Sequence, residues 1–127
     1  MGRRSTSTEA TAAFGLVKRV GLTLPHVEAG TRYDGSPVLK VRGVFMAGLA
    51  THQSAEAGTL VVRADPDDRQ CLLADAPETY YLTDYYGRYP LVLVRLSRVD
   101  RDALHDLLSV SWRLTMAKIG PRARANS

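Results

Sequence analysis

The chain has 127 residues, of which 45% are hydrophobic and 24% are charged. This length corresponds to about one domain, and a domain of this size buries enough apolar surface to fold without disulfides. Cys71 is the only cysteine, which excludes an intrachain disulfide, and no apolar run approaches the roughly 20 residues of a membrane span. We therefore expect a cytoplasmic protein without a targeting segment, and we favour a monomer.

The formal net charge of +4 is unevenly distributed along the chain. Five of the 17 basic residues lie near the two ends: Arg3, Arg4, Lys118, Arg122 and Arg124. Between Glu9 and Ala117 there are 12 basic and 13 acidic residues, so this segment carries a net charge of −1. We expect a flexible tail at residues 1–8, a single domain at residues 9–120 and a flexible basic tail at residues 121–127.

The first half of the chain changes from a helical to a strand-like pattern. Apolar residues at helical spacing predict a helix over residues 9–20, which Gly21 and Pro25 end. Four short strands are then predicted at residues 31–33, 38–41, 44–50 and 59–64. Gly35 and Gly43 suit tight hairpin turns between them because glycine tolerates a positive φ.

The second half adds two helices and two strands. Asp65 and Asp100 are predicted N-caps, and Pro66 suits the first helical position. Strands are predicted at residues 80–82 and 91–96, and the last helix is expected to stop at Gly120. Short connections among the first four strands favour an antiparallel sheet. The predicted fold is therefore an α+β two-layer sandwich with helices on one face of the sheet.

Motifs spread over residues 12–119 carry a family resemblance. They are Leu24-Pro25, Pro37-Val38-Leu39-Lys40-Val41, Phe45-Met46-Ala47, the helix start at residues 65–72, Tyr85-Tyr86-Gly87, Val92-Leu93-Val94, Val99-Asp100 and Ser111-Trp112-Arg113. In their order and spacing they resemble the MmcQ/YjbR family of small bacterial proteins. The resemblance implies a CyaY-like α+β fold and a proposed role in double-wing DNA binding. It implies no catalytic residues.

Basic side chains on the predicted hairpins are the candidate DNA contacts. Lys40 and Arg42 alternate with apolar neighbours, so both are predicted on the solvent-facing side of one strand. Arg32 and Arg63 would join them if the strand register brings all four to one face. In the alternative interpretation they are ordinary solvated charges, paired with acids such as Asp34 or Glu28.

Other polar and aromatic residues predict no catalytic, cofactor or metal site. The tyrosines of residues 80–89 are expected to be half-buried, Trp112 to anchor the last helix, and Cys71 to be a buried, inert thiol. The three histidines lack metal-ligand spacing, and the first helix lacks the acidic ridge of iron-binding frataxins. The second functional hypothesis is a non-enzymatic module that binds a protein or a small uncharged ligand by its sheet face or tyrosine turn.

Overall fold

The computed structural model describes residues 2–125, with side chains described for residues 12–120. In chain order the elements are α1 (Gly2–Gly21), β1 (Val27–Thr31), β2 (Pro37–Val41), β3 (Val44–Leu49), β4 (Thr59–Arg63), α2 (Pro66–Asp75), β5 (Tyr80–Tyr81), α3 (Asp84–Gly87), β6 (Leu91–Arg95) and α4 (Arg101–Ala125). This combination of strands and helices confirms the predicted α+β class.

The six strands form one sheet in the order β1-β2-β3-β4-β6-β5, and each neighbouring pair is antiparallel. The first four strands lie side by side in chain order because their short connections permit only hairpins. β6 then pairs with β4, which leaves the two-residue β5 at the edge. The antiparallel sheet is therefore as predicted.

The hydrophobic core lies between the sheet and the long helices. On α1, buried Phe14, Val17 and Val20 recur every three residues, which gives the helix one apolar stripe. These side chains and those of α4 pack against the strand residues that face them, including Leu39, Leu60, Val62, Val92 and Val94. The helices α1 and α4 therefore cover one face of the sheet.

We call the opposite side of the sheet the open face. Its strand residues include Val38, Lys40, Phe45, Gly48, Val61, Arg63 and Leu93, as the strand registers show. The short helix α3 covers one end of it, where Tyr86 packs against Val61 and Leu93. The rest of the open face is free of long helices.

The predicted helix N-caps and the predicted hairpin turns are confirmed. Oδ1 of Asp65 accepts from the amide of Asp68 at 2.8 Å, and Oδ1 of Asp100 accepts from the amide of Ala103 at the same distance. Gly35 and Gly43 have φ values of 86° and 82°, as the hairpin turns require. At Gly120 the backbone leaves helical geometry, with φ 90° and ψ 161°, although α4 is assigned as far as Ala125.

Two elements differ from the sequence prediction. β1 occupies Val27–Thr31 rather than residues 31–33, and four of its five residues are exposed. An exposed edge strand of this kind is stabilised by backbone pairing. Its sequence therefore lacks the alternation of apolar and polar residues from which a strand is predicted. The helix α3 was not predicted, because its four residues are too short to show helical periodicity.

The predictions for the two ends of the chain are only partly tested by the described residues. The assigned α1 begins at Gly2, before the predicted start at residue 9. The side chains of both predicted tails lie outside the described residues, so the flexibility of these tails stays a prediction. Among the described residues, none of the helices combines the length and the hydropathy needed to cross a lipid bilayer.

Candidate functional site

A β-bulge in β3 decides which side chains reach the open face. Leu39 of β2 pairs with Ala47, whereas the next residue, Lys40, pairs with Phe45. The extra residue is Met46, and it interrupts the alternation of the strand. Met46 and Ala47 therefore both lie in the core, while Phe45 turns to the open face. Without the bulge, Phe45 would lie on the same side as Ala47.

Two arginine side chains converge on the ring of Phe45. The guanidinium carbons of Arg32 and Arg63 lie over the ring, 5.5 and 6.0 Å from its centroid. Arg63 Nε donates to the Phe45 carbonyl at 2.8 Å. Arg32 Nη1 donates to the Leu49 carbonyl at 2.8 Å and to Ser36 Oγ at 3.0 Å. A guanidinium has five N–H donors, so several remain for an anion on each arginine.

The bulge is held from the core side by α4. Ser111 is fully buried, and its Oγ donates to the Met46 carbonyl at 2.7 Å. The same oxygen accepts from the backbone amide of Arg63 at 3.0 Å. The Ser111 hydroxyl therefore links α4 both to the bulge in β3 and to the end of β4.

A glycine makes room for Arg32 above the sheet. A Cβ atom on Gly48 would lie 2.9 Å from Arg32 Nη2 and 3.1 Å from Phe45 Cε1. Real Cβ atoms essentially never lie within 3.0 Å of another atom, so a larger residue would displace the Arg32 guanidinium, and the Phe45 ring would have to shift by a few tenths of an ångström. Glycine is the residue that permits this close approach.

Lys40 joins the two arginines, but Arg42 does not. Lys40 is exposed and is the cross-strand partner of Phe45, so its side chain leaves the sheet on the open face. The prediction that Arg42 lies on the same strand face is wrong. Arg42 has φ 50° and forms the hairpin turn with Gly43, and its Nη2 lies 3.3 Å from Nε2 of His26.

Within residues 12–120, the cations around Phe45 form no direct ion pair with a carboxylate. No carboxylate oxygen lies within 4.0 Å of the charged nitrogens of Arg32, Lys40 or Arg63. Asp34 is bound instead by the backbone amide of Ser36 at 3.0 Å and by its hydroxyl at 2.7 Å. These bonds, and to a smaller extent the nearby positive charge of Arg32, lower the pKa of Asp34. The alternative interpretation of these residues as ordinary solvated charges stays a prediction.

The environment of Arg63 differs from that of Arg95, which lies on the same side of the sheet. Burial lowers the pKa of the Arg63 guanidinium, because desolvation disfavours its charged form. Arg95 is bound to Glu56 by two hydrogen bonds of 3.0 and 2.7 Å, and it stacks over Tyr81. Arg95 is therefore neutralised within the protein, whereas Arg63 is partly desolvated and has no counter-ion among the described side chains.

Aromatic rings occupy the other end of the open face. The Tyr86 hydroxyl accepts from the His52 amide at 3.0 Å, and the His52 ring stacks on Tyr85 with centroids 3.6 Å apart. Tyr86 and Tyr80 are buried, and Tyr81 is half-buried. Tyr85 and Tyr89 are exposed, so the predicted half-burial holds for Tyr81 and is wrong for the other four rings.

Two further predictions concern single side chains. Cys71 is exposed, so the prediction of a buried thiol is wrong. The reason is that α2 lies on the surface and buries none of its residues completely.

Trp112 packs against the core, as predicted, and its Nε1 donates to the Pro25 carbonyl at 2.8 Å. Within the described part of the chain, no group of three His, Cys, Asp or Glu residues is placed to hold a metal ion.

Sequence reasoning did not identify Phe45 and Gly48 as site residues. Phe45 lies in the apolar run of β3, where no alternation shows which way each side chain points. Gly48 offered a signal, because a glycine inside a strand often marks a bulge or a close approach. That signal, taken with the bulge itself, locates the cluster formed by Arg32, Lys40, Phe45, Gly48 and Arg63, here called the Phe45 cluster.

Comparison with known proteins identifies the family. Curated relatives include the uncharacterized proteins Rv2570 and MT2646 of Mycobacterium tuberculosis and Mb2600 of Mycobacterium bovis. Each is 33% identical to the chain over 55 residues, which is 43% of the chain and 43% of the relative. The matched stretch thus spans less than half the length of these relatives. A model of the YjbR family matches residues 22–114, most of the chain, and the chain therefore belongs to the YjbR family.

Proposed function

We propose that this protein binds DNA, without catalysis, through phosphate contacts from the Phe45 cluster. The contacting groups are Arg32, Lys40 and Arg63. The observation that carries the proposal is that the Arg32 and Arg63 guanidinium groups lie together over Phe45 with no carboxylate within 4.0 Å, among the residues with described side chains.

The chemistry of a guanidinium explains why a phosphate suits this position. Arg63 has lost part of its hydration and gains no counter-ion from the described side chains, and a buried charge of this kind is costly until it is paired. A phosphate oxygen forms short, charge-assisted hydrogen bonds with free guanidinium N–H groups. The hydrogen bonds to Leu49 and Phe45 hold the two side chains in place before any ligand arrives, which reduces the entropy lost on binding.

The arrangement suits backbone recognition more than base readout. Three cations around one aromatic ring form a positive patch that can contact neighbouring phosphates, and such contacts carry no base sequence information. Arg42 lies in the hairpin turn, outside the cluster, and is not one of these contacts. The resemblance to the MmcQ/YjbR proteins, for which double-wing DNA binding is proposed, supports the same assignment.

Salt dependence tests the proposal. The full chain is titrated into a fluorescein-labelled duplex at several salt concentrations, and binding is followed by fluorescence anisotropy. Three phosphate contacts predict a slope of log K against log salt of about −2.7, from about −0.9 per contact. A matched variant replaces the terminal arginines with alanine: Arg3, Arg4, Arg122 and Arg124. Binding that disappears in this variant would assign the affinity to the chain ends and contradict the proposal.

A further inference from the structure

A groove between α2 and α4 lies on the helix-covered side of the sheet, away from the Phe45 cluster. Its volume is about 310 Å³, which is at the small end of the range for ligand pockets. Apolar side chains, among them Leu72, Leu107 and Val110, line much of it. The groove is therefore large enough for a small molecule and has apolar surface to contact it.

Carboxylates surround this apolar surface. Asp68 and Asp75 reach the groove from α2, and Asp106 reaches it from α4. Within residues 12–120, Asp68 and Asp75 have no basic nitrogen within 4.0 Å, and Asp106 has only Nδ1 of His105, at 3.8 Å. Arg63 also lines the groove, but its Nε is bound to the Phe45 carbonyl on the other face. The groove is therefore negatively charged.

The Tyr80 hydroxyl is an unpartnered polar group on a largely buried side chain that faces the groove. Tyr80 is only 7% exposed and lines the groove, yet its hydroxyl has no hydrogen-bond partner among the described residues. Among the described residues, no fully buried side-chain oxygen lacks a hydrogen-bond partner, so the Tyr80 hydroxyl oxygen is accessible from the groove, where a ligand can bond to it. Burial, followed by the charges of Asp100 and Asp106, raises the pKa of Tyr80. The hydroxyl therefore keeps its proton at neutral pH and can both accept from a ligand and donate to one.

We propose that the groove binds a small organic cation, an ammonium group on an apolar body. The ammonium N–H groups would donate to the carboxylates of Asp68, Asp75 or Asp106 and to the Tyr80 hydroxyl. The apolar body would pack against Leu72, Leu107 and Val110. A bare metal ion suits the groove less well, because these acids do not converge as a metal-binding group in the described structure.

The test uses phenethylammonium as the probe and phenylacetate as a comparator of similar size and opposite charge. The probe is titrated into the ¹⁵N-labelled full chain, and amide chemical shifts are followed. We expect saturable shifts at Leu72, Ala103 and Leu107, and binding of phenylacetate at least about tenfold weaker, the factor that corresponds to about 1.4 kcal/mol. Equal binding of the two probes, or no saturable shift at millimolar concentrations, would overturn the proposal.

Variants and a chemical probe locate the site. Asp106→Asn and Tyr80→Phe are each expected to weaken binding about fivefold, as loss of one hydrogen-bonding group does. Asp102→Asn, on the same helix but outside the groove, should bind the probe normally. Cys71 is exposed and lines the groove, so a bound cation should slow its alkylation by iodoacetamide. Equal loss in the Asp102 and Asp106 variants, or alkylation unaffected by a saturating probe, would contradict the assignment.

Discussion

At the level of single residues, Phe45 brings two positively charged side chains together on the open face. Its ring supplies an apolar surface for the guanidinium groups of Arg32 and Arg63, and its carbonyl accepts a hydrogen bond from Arg63. Such stacking holds two like charges close together without a carboxylate between them. The proposed binding function depends on this placement more than on the number of basic residues in the chain.

Lys40 and Arg42 provide a direct contrast between a residue inside the cluster and a residue beside it. Both are exposed, so alanine should leave the fold intact at either position. Lys40→Ala should change the salt slope of duplex binding from about −2.7 to about −1.8, because one phosphate contact is lost. Arg42→Ala removes the same charge and should keep the slope near −2.7, about −0.9 for each of three contacts. A larger change for Arg42 than for Lys40 in the anisotropy titration would contradict the assigned site.

Gly48 tests whether the position of Arg32 matters. Gly48→Ala would place a methyl group 2.9 Å from Arg32 Nη2, so the guanidinium must move. We expect weaker duplex binding in the anisotropy assay and a loss of about 1 kcal/mol in the free energy of unfolding. Gly30→Ala is the control, because Gly30 lies on the same face and a methyl group added there would meet nothing within 4 Å. Wild-type affinity in Gly48→Ala would show that Arg32 need not lie over Phe45.

At the level of elements, α4 supports the bulge through one buried hydroxyl. Ser111→Ala would leave the Met46 carbonyl and the Arg63 amide without their partner. We expect a loss of about 2 kcal/mol in the free energy of unfolding, measured by urea denaturation, and faster hydrogen exchange at the Arg63 amide. Ser109→Ala on the same helix is the control, because no side-chain hydrogen bond of Ser109 is seen in the described structure. Its effect should stay within about 0.5 kcal/mol.

The ion pair between Arg95 and Glu56 joins the loop before β4 to β6. The hydrogen bonds from Arg95 lower the pKa of Glu56 below its ordinary value of 4.5. The pair therefore contributes stability above pH 4.5 and loses it as the pH falls through the lowered pKa. Because the Glu56 side chain is 56% exposed, this contribution is only about 0.5 kcal/mol.

The variant Glu56→Gln measures this pH dependence. Its urea midpoint should lie below that of the wild type at about pH 7, and the two should converge once the pH is well below 4.5. Glu78→Gln is the control, because the Glu78 carboxylate has no ion pair among the described residues. A wild-type advantage over Glu56→Gln that persists unchanged in acid would contradict the role of this pair.

The elements also show which features a sequence can specify. The caps at Asp65 and Asp100 and the turn at Gly43 depend on neighbouring residues, and all were predicted. The same turn explains the wrong placement of Arg42. A two-residue turn of this type needs a positive φ at both central residues, so Arg42 leaves the strand together with Gly43.

At the level of the whole molecule, the net charge conceals a separation of charge between the two sides of the sheet. Residues 9–117 carry a net charge of −1, yet the Phe45 cluster is positive and the groove between α2 and α4 is negative. The sequence predicted the α+β sandwich, because hydrophobic patterning determines it. The two sites depend on the bulge at Met46 and on packing between distant elements, which pattern alone does not specify.

Chemical-shift mapping with DNA tests the central proposal most directly. A short duplex is added to the ¹⁵N-labelled full chain, and the amide resonances are compared before and after. The proposal predicts that the largest shifts fall on Arg32, Lys40, Phe45, Gly48 and Arg63, with little change along Arg101–Ala125. Shifts confined to α4 or to the chain ends, or no shifts at any duplex concentration, would contradict DNA binding by the open face.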